Sequence, residues 1–313
     1  WTTDEPSDSR VDYGLASGTL TLTAGSPAMV TSHSITVSGL LPLTTYYFRV
    51  SSSDEAANRA EMPVAPAANS FATPAGLCAR DATTDDFSLG TPDANTLVVT
   101  DGDGAVILRP AFIEDFTGAS LPAGWGETLY AGGSAAVISG GMATVDGTHI
   151  YTSAAFSPGS TLEFVATFGA GNYQNAGLST NAAFAAPWVA VGRGTQADNN
   201  LYARASTGGT TTEYLLGNLL NTPHNFKIKW NADNFEFYID GSSTPAVTIP
   251  VTISTSLIIQ VSDYVAGGAV LSVDWIRATP YVGSGSFTSR IFDGGSERNW
   301  GEIFWDADVP DGT

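Results

Sequence analysis

Two aspartates two residues apart, Asp101 and Asp103 in "TDGDGAV", open the search for chemistry in this chain. Oxygen ligands from turn carboxylates and carbonyls suit calcium, and the interleaved glycines allow a tight loop. The run lacks the distal Glu of a full EF-hand loop, and an ordinary Asp-Gly turn uses the same residues. Asp115, Asp263 and Asp293 are further acidic candidates. Two other stretches combine aromatics with amides. "GAGNYQNAG" carries Asn172, Tyr173, Gln174 and Asn175, which read as a loop, and "APWVAVGRGTQADNNLYAR" carries Trp188, Arg193, Gln196, Asn199, Asn200 and Tyr202. An aromatic ring against the apolar side of a sugar, with hydrogen-bonding side chains beside it, is what carbohydrate recognition needs. The expected carbohydrate contacts are therefore Tyr173, Gln174, Asn175, Trp188, Arg193, Asn200 and Tyr202. The expected metal ligands are Asp101 and Asp103, for a structural calcium.

Other chemistry is thinly supplied. Hydrolysis of a glycosidic bond needs two carboxylates about 5–5.5 Å apart for retention or about 6.5–9.5 Å apart for inversion, and residues i and i+2 on a strand share a face. Glu163 in "TLEFVATF", Glu236 in "NFEFYID" and Asp274 in "SVDWIRA" each stand alone. His33, His149 and His224 are far apart and in no metal-binding spacing, so they read as surface or turn histidines. No Gly-x-Ser-x-Gly elbow, phosphate-binding Gly-Lys-Ser/Thr loop or dinucleotide fingerprint occurs. Cys78 is the only cysteine and makes no internal disulfide.

The elements that must position these residues are strands. The chain has 313 residues, 34 of them Gly, and aromatics at 11%, the balance of short strands joined by many turns. Charged residues are 14% of the chain, with 31 acidic against 12 basic and a net charge of −19. That sign repels nucleic acid and anionic membrane, and no apolar run reaches the ~18 residues of a membrane span. Trp1-Thr2-Thr3 reads as a strand end, Asp4–Asp8 as a turn, and Ser9–Tyr13, Leu20–Thr23, Ser34–Val37 and Tyr46–Val50 as strands. Leu97–Val99 and Val106–Leu108 flank a turn at Asp101–Gly104, and Phe226–Trp230 with Phe235–Ile239 form a hairpin around Asn231–Asn234. "DDFSLG", Phe287–Phe292 and Gly301–Trp305 also read as strands. Trp1, Trp125, Trp275, Trp300 and Trp305 read as core, as does Trp230, and core packing is the commoner role for Trp188 on its strand.

Three resemblances follow. "GLLPLTTYYFRV" resembles the corner of a fibronectin type III sandwich, which implies that the Tyr46 hydroxyl ties back to nearby backbone. The opening "EDFTGASLPAGWGE", the hairpin "KIKWNADNFEFYIDG" and the closing "VDWIRA" resemble a concanavalin A-like (laminin-G-like) jelly roll. That class includes glucanases with a Glu-x-Asp-x-x-Glu-like run, which is not found here, and it often holds calcium. "GSFTSRIFDGG…NWGEIFWDADVPDGT" resembles early strands of a galactose-binding-type sandwich.

The expected fold is all-β, with tandem sandwiches: 1–75 a partial fibronectin type III-like domain, 77–110 with 282–313 a partial split sandwich, and 111–281 an inserted concanavalin A-like jelly roll. The resemblances imply a bacterial multidomain surface protein, extracellular, cut within a domain at each end. The expected function is a non-catalytic structural or adhesive module, completed at its edges by strands of neighbouring copies in a fibre. The alternative is a carbohydrate-binding module with glycans as partners, and a glycan-cleaving enzyme comes third.

Overall fold

The computed structural model describes residues 1–41, 44–73, 80–196, 198–293 and 303–307. Cys78 and Trp300 lie outside the described residues. The contacts divide the chain into two compact units, one built on Trp1–Asp81 and one on Ala82–Arg290.

The first unit is an antiparallel sheet in the order Leu22–Ser32, Thr2–Gly14, Thr45–Ser53, Arg59–Met62, with Asn69–Ala72 also pairing with Thr45–Ser53. The turn expected at Asp4–Asp8 is absent. Thr2–Gly14 runs as one strand, and register shifts between Thr2, Ser7 and Ser9 absorb the Pro6 stretch without reversing the chain. Ser34–Val37 forms no strand. The expected tie-back is present, because the Leu41 amide donates to the Tyr46 hydroxyl at 3.1 Å. His33 is a buried residue rather than a surface one. It stacks on Trp1 at 4.9 Å and binds the hydroxyls of Thr3 and Ser9.

The second unit holds a jelly-roll sandwich. Its seven-stranded sheet runs Trp125–Leu129, Thr148–Phe156, Leu257–Asp263, Gln174–Ser179, Trp188–Gly192, Leu201–Ser206, Thr211–Gly217. The facing eight-stranded sheet runs Val137–Ser139, Met142–Val145, Leu271–Tyr281, Thr161–Phe168, His224–Trp230, Phe235–Ile239, Val247–Ile249, with Pro110–Glu114 on Leu271–Tyr281. Successive strand side chains point to opposite faces, and Thr161–Phe168 alternates strictly between buried and half-buried. The two inner faces differ in size. The eight-stranded sheet supplies Phe164, Phe168, Phe226, Trp230, Phe235 and Phe237, while the other supplies Ala176, Leu178, Val189, Val191, Ala203, Ala205 and Val261. Large side chains over small ones let the sheets close at interior density. The core role of Trp230 holds, with its indole N–H donating to the Ile253 carbonyl at 3.2 Å.

Several expected strands are corrected. "DDFSLG" lies largely in a short helix, Thr84–Ser88, because Thr83 and Asp86 form a reciprocal capping box that satisfies its first amides. Of Phe287–Phe292 only Phe287–Thr288 is strand, and it pairs with Thr91–Pro92. Residues 303–307 form no strand, and Trp305 is 80% exposed, not core. Trp1 and Trp125 are only half-buried. Trp275 is buried beneath the Arg277 guanidinium, 4.1 Å from its ring centre.

The expected hairpin Thr96–Val99/Ala105–Leu108 forms, with Gly102 and Gly104 at positive φ in its turn. Its Asp101 carboxylate makes a two-pronged pair with Arg277 on the sandwich, one arm at 2.6 Å. Burial alone would lower the Arg277 pKa, but the Asp101 carboxylate outweighs it and holds that pKa above the ordinary value. Removing one partner of a buried pair strands the other charge. Asp101→Ala is expected to destabilise the second unit by about 3 kcal/mol, read as a shifted denaturation midpoint. An unchanged midpoint would show that the clamp contributes nothing.

Candidate functional site

The core takes one side of the seven-stranded sheet, so the alternate residues face away from it. The strand registers arrange these in cross-strand rows. One row is Thr128, His149, Ser262, Asn175, Gly192, Tyr202 and Leu215. The next is Gly126, Tyr151, Gln260, Gly177, Ala190, Arg204 and Glu213. A third begins at Ile258 and passes through Ser179, Trp188 and Ser206. Gly177, Ala190 and Gly192 sit together at the centre, a low floor between taller side chains on either side.

On one side of this floor His149 Nε2 meets Gln260 Oε1, and Gln260 Nε2 donates to Ser179 Oγ and to the Asn181 carbonyl. His149 is 1% exposed, which corrects its reading as a surface or turn histidine. Burial holds its pKa below the ordinary imidazole value, against the opposing Gln260 hydrogen bond. Phe184, from the segment after Ser179, packs between the His149 ring at 5.9 Å and the Trp188 ring at 5.5 Å. Tyr130 lies parallel to His149 and bonds Ser262 Oγ at 3.1 Å, and it packs on Tyr264, which packs on Tyr173.

On the other side Arg204 donates to Asn175 Oδ1 at 2.5 Å and to Glu213 at 2.7 Å, and its guanidinium lies 5.4 Å from the Trp188 ring centre. Gln196 bridges the Gly194 amide and Glu213. Asp198 accepts from the Tyr202 hydroxyl at 2.5 Å and the Asn200 amide at 2.9 Å, and these bonds lower its pKa. Tyr202 is raised, first by its bond to Asp198 and in smaller part by Glu213.

Of the seven expected carbohydrate contacts, the face gathers Asn175, Trp188 and Tyr202, and Tyr173 stands at one end of it. Asn200 turns its amide to Asp198 at the edge. Gln174 and Arg193 are on the opposite parity, level with Asp263, and point into the end of the sandwich. "NYQNAG" was expected as a loop, but Gln174–Ser179 is a strand. The residues that sequence reasoning missed are His149, Gln260, Ser179, Ser262, Arg204 and Glu213. For Ser179, Gln260, Ser262 and Arg204 the signal was polar residues at alternate positions in "QNAGLS", "LIIQVSD" and "YARAS", on strands whose other face is apolar. Asp101 and Asp103 do not join this face. Asp101 holds Arg277, the Asp103 carbonyl accepts from the Thr84 amide at 2.8 Å, and the described residues contain no group of three or more His, Cys, Asp or Glu that could hold a metal ion.

Residues 188–268 match the family model for glycosyl hydrolases family 16, a stretch covering the Trp188, Arg204 and Gln260 strands. Among solved structures, a glycosyl hydrolase family protein from Mycobacterium fortuitum is similar at 14% identity and TM-score 0.45, over 55% of this chain and 100% of its own. A β-1,3-glucanase from Mycobacterium marinum is similar at 12% identity and TM-score 0.43, over 55% and 99%. A pseudo β-1,3-glucanase of Mycobacterium tuberculosis is similar at 15% identity and TM-score 0.43, over 54% and 98%. No curated protein matches the chain. The hydrolase-family match, which covers strands that build the polar face, overturns the expectation of a non-catalytic structural or adhesive module.

At the end of the sandwich Asp263 is fully buried. It accepts from Gln174 Nε2 at 2.9 Å and the Val265 amide at 3.1 Å. Burial pushes its pKa up to about 6 against these bonds. The folded state therefore holds its proton more tightly than the unfolded chain, and stability from this group is present below pH ~4 and lost as pH rises through about 6. Asp263→Asn should remove that loss, so the stability gap between wild type and variant shifts by about 2 kcal/mol between pH 4 and pH 7, read by denaturant unfolding at each pH. Parallel curves would show that Asp263 titrates normally.

Proposed function

We propose that the seven-stranded sheet engages a glycan along its outer face. The observation that carries this reading is the low floor of Gly177, Ala190 and Gly192, flanked by the Trp188–Phe184 aromatics and by the hydrogen-bonding side chains of Asn175, Arg204 and Tyr202. A floor of glycine and alanine lets a chain approach the sheet closely, the rings offer apolar surface for a pyranose face, and the polar groups fix its orientation. The family model matched over 188–268 supports the same assignment.

Cleavage of the bound glycan is favoured by one further observation. Asp198 accepts from the Tyr202 hydroxyl and Glu213 accepts from Arg204 and Gln196, so two carboxylates stand at one edge of the floor. The outward positions of the Trp188 strand are Trp188, Ala190 and Gly192, so hydrolysis here draws its carboxylates from separate segments rather than from one run.

The proposal includes an extracellular setting, a fibronectin-type first unit, supported by the Leu41–Tyr46 tie-back, and a split sandwich of 77–110 with 282–313, supported by the pairing of Thr91–Pro92 with Phe287–Thr288. A structural calcium is proposed on the resemblance alone. Among the described residues no helix is long and apolar enough to cross a membrane.

The test is calorimetric titration of the whole chain with neutral and acidic polysaccharides, the same mixtures being scored for new reducing ends. Trp188→Ala should weaken binding about tenfold, equivalent to ~1.4 kcal/mol, with the fold retained by circular dichroism. Loss of reducing-end release in Glu213→Gln would assign cleavage to that edge. Binding that ignores Trp188→Ala would remove the outer face from consideration.

A further inference from the structure

The loop between the Trp188–Gly192 and Leu201–Ser206 strands brings Gln196 and Asp198 to the edge of the floor. Its described residues from Thr195 to Asn200 make no backbone–backbone hydrogen bond. Backbone polar groups need partners, so side chains must give this loop its shape. Arg193 closes it from inside the sandwich. The residue is 3% exposed, and Nη2 donates to the Gln196 carbonyl at 2.8 Å and to the Asp198 carbonyl at 2.6 Å. Nη2 carries two hydrogens, one for each carbonyl. Those carbonyls belong to the two residues whose side chains reach the edge. Gln196 Nε2 donates to Glu213 at 2.6 Å, and Asp198 accepts from the Tyr202 hydroxyl at 2.5 Å.

This arrangement costs the fold. Nε and Nη1 are buried with no hydrogen-bond partner among the described residues, and the Nη2 bonds end on carbonyls rather than on a carboxylate. An apolar side chain of similar length would avoid the desolvation of this charge. A local cost of this kind is expected where function sets the residue. The charge also acts through space. Asp198 is held below the ordinary carboxylate range first by the Tyr202 bond and then by Asn200, and the Arg193 charge pulls in the same direction. Tyr202 is raised first by Asp198, and the Arg193 charge opposes that rise. Glu213, itself bonded by Arg204, is the further charged group acting on Tyr202.

We infer that Arg193 is a positioning residue for the acidic edge of the outer face, fixing from inside the sandwich the loop that presents Gln196 to Glu213 and Asp198 to Tyr202. The inference rests on the outer-face reading and adds the group that holds its edge in place. Arg193 touches no ligand in this scheme. It acts through two backbone carbonyls and through its charge. With that charge removed, Asp198 takes up a proton at a higher pH, and the acceptor for the Tyr202 hydroxyl is lost sooner on acidification.

The test compares the full chain with Arg193→Met and Arg193→Lys. In the wild type, arginine ¹⁵N spectra should show slow water exchange of the Arg193 Nη2 protons and a guanidinium locked against rotation. A freely rotating, fast-exchanging group would overturn the inference without any variant. Carboxyl ¹³C titration should place the Asp198 midpoint higher in Arg193→Met and near the wild-type value in Arg193→Lys, which keeps the charge. Affinity for the polysaccharide best bound in the calorimetric titration should fall about tenfold in Arg193→Met, the scale of one lost charge-assisted hydrogen bond. On acidification that affinity should fall away at a higher pH than in the wild type. An Arg193 that merely stabilises the fold would shift the unfolding midpoint and leave the Asp198 titration of the folded protein in place, and that result would overturn the inference. If Trp188→Ala weakens binding and Arg193→Met does not, the positioning role falls and the outer-face reading stands. If no polysaccharide binds, or Trp188→Ala leaves binding intact, the outer-face reading falls and the inference falls with it.

Discussion

The packing of a large-residue sheet against a small-residue sheet is the contact on which the second unit depends. Phe164, Phe168, Phe226, Trp230, Phe235 and Phe237 reach across from one side, and Ala176, Val189, Val191, Ala203 and Ala205 receive them from the other. Each buried ring contributes a large apolar area to this contact. Because strand residues alternate, the inward choice also fixes which residues face outward. The strands that give alanine and valine to the core give Asn175, Gly177, Ser179, Ala190, Gly192 and Arg204 to the opposite face. The polar face is the other half of the same alternation.

That face has to be paid for in hydrogen bonds, and the registers show how. Gln260 is wholly buried yet satisfied on both ends of its amide, by His149 and by Ser179 with Asn181. Arg204 spans from Asn175 to Glu213 across the small residues between them. Buried polar groups left unpaired are costly, and paired ones rigidify their surroundings. The end of the sandwich is organised differently. Arg193 Nε and Nη1 and Gln174 Oε1 are buried with no hydrogen-bond partner among the described residues, beside the fully buried Asp263. The polar face is stabilised pair by pair, while this end keeps polar groups inside the fold at a cost.

What the sequence made legible tracks how local each signal is. The hairpin around Asn231–Asn234 and the one around Asp101–Gly104 were readable because turn chemistry and flanking apolar residues lie within a few positions. The Tyr46 tie-back was expected only because "GLLPLTTYYFRV" resembles a known sandwich corner. The helix at Thr84–Ser88 was missed because its Thr83–Asp86 capping box outweighs the strand-like look of "DDFSLG". Thr2–Gly14 was misread because Pro6 and its polar neighbours look like a turn, and only pairing with Leu22–Ser32 and Thr45–Ser53 shows the chain continuing. Of the residues grouped by composition, the sheet places Asn175, Trp188 and Tyr202 on one face. Gln174 and Arg193 fall on the other face, because composition does not count parity and one step along a strand moves a side chain across the sheet.

His149 shows why the remaining residues were out of reach. Its partner Gln260 lies 111 positions away in sequence, so no local spacing marks the pair. Once the sheet sets Thr148–Phe156 beside Leu257–Asp263, and Gln174–Ser179 beside that, the constraint runs outward in order. A backbone carbonyl at Asn181 sets the Gln260 amide, and the amide sets the imidazole proton on Nε2. A backbone carbonyl does not titrate, so the order of these hydrogen bonds is set at its origin by a group that pH does not change. Neutral histidine chemistry at this position is thus a consequence of strand order, and an isolated histidine in the sequence carries no trace of it.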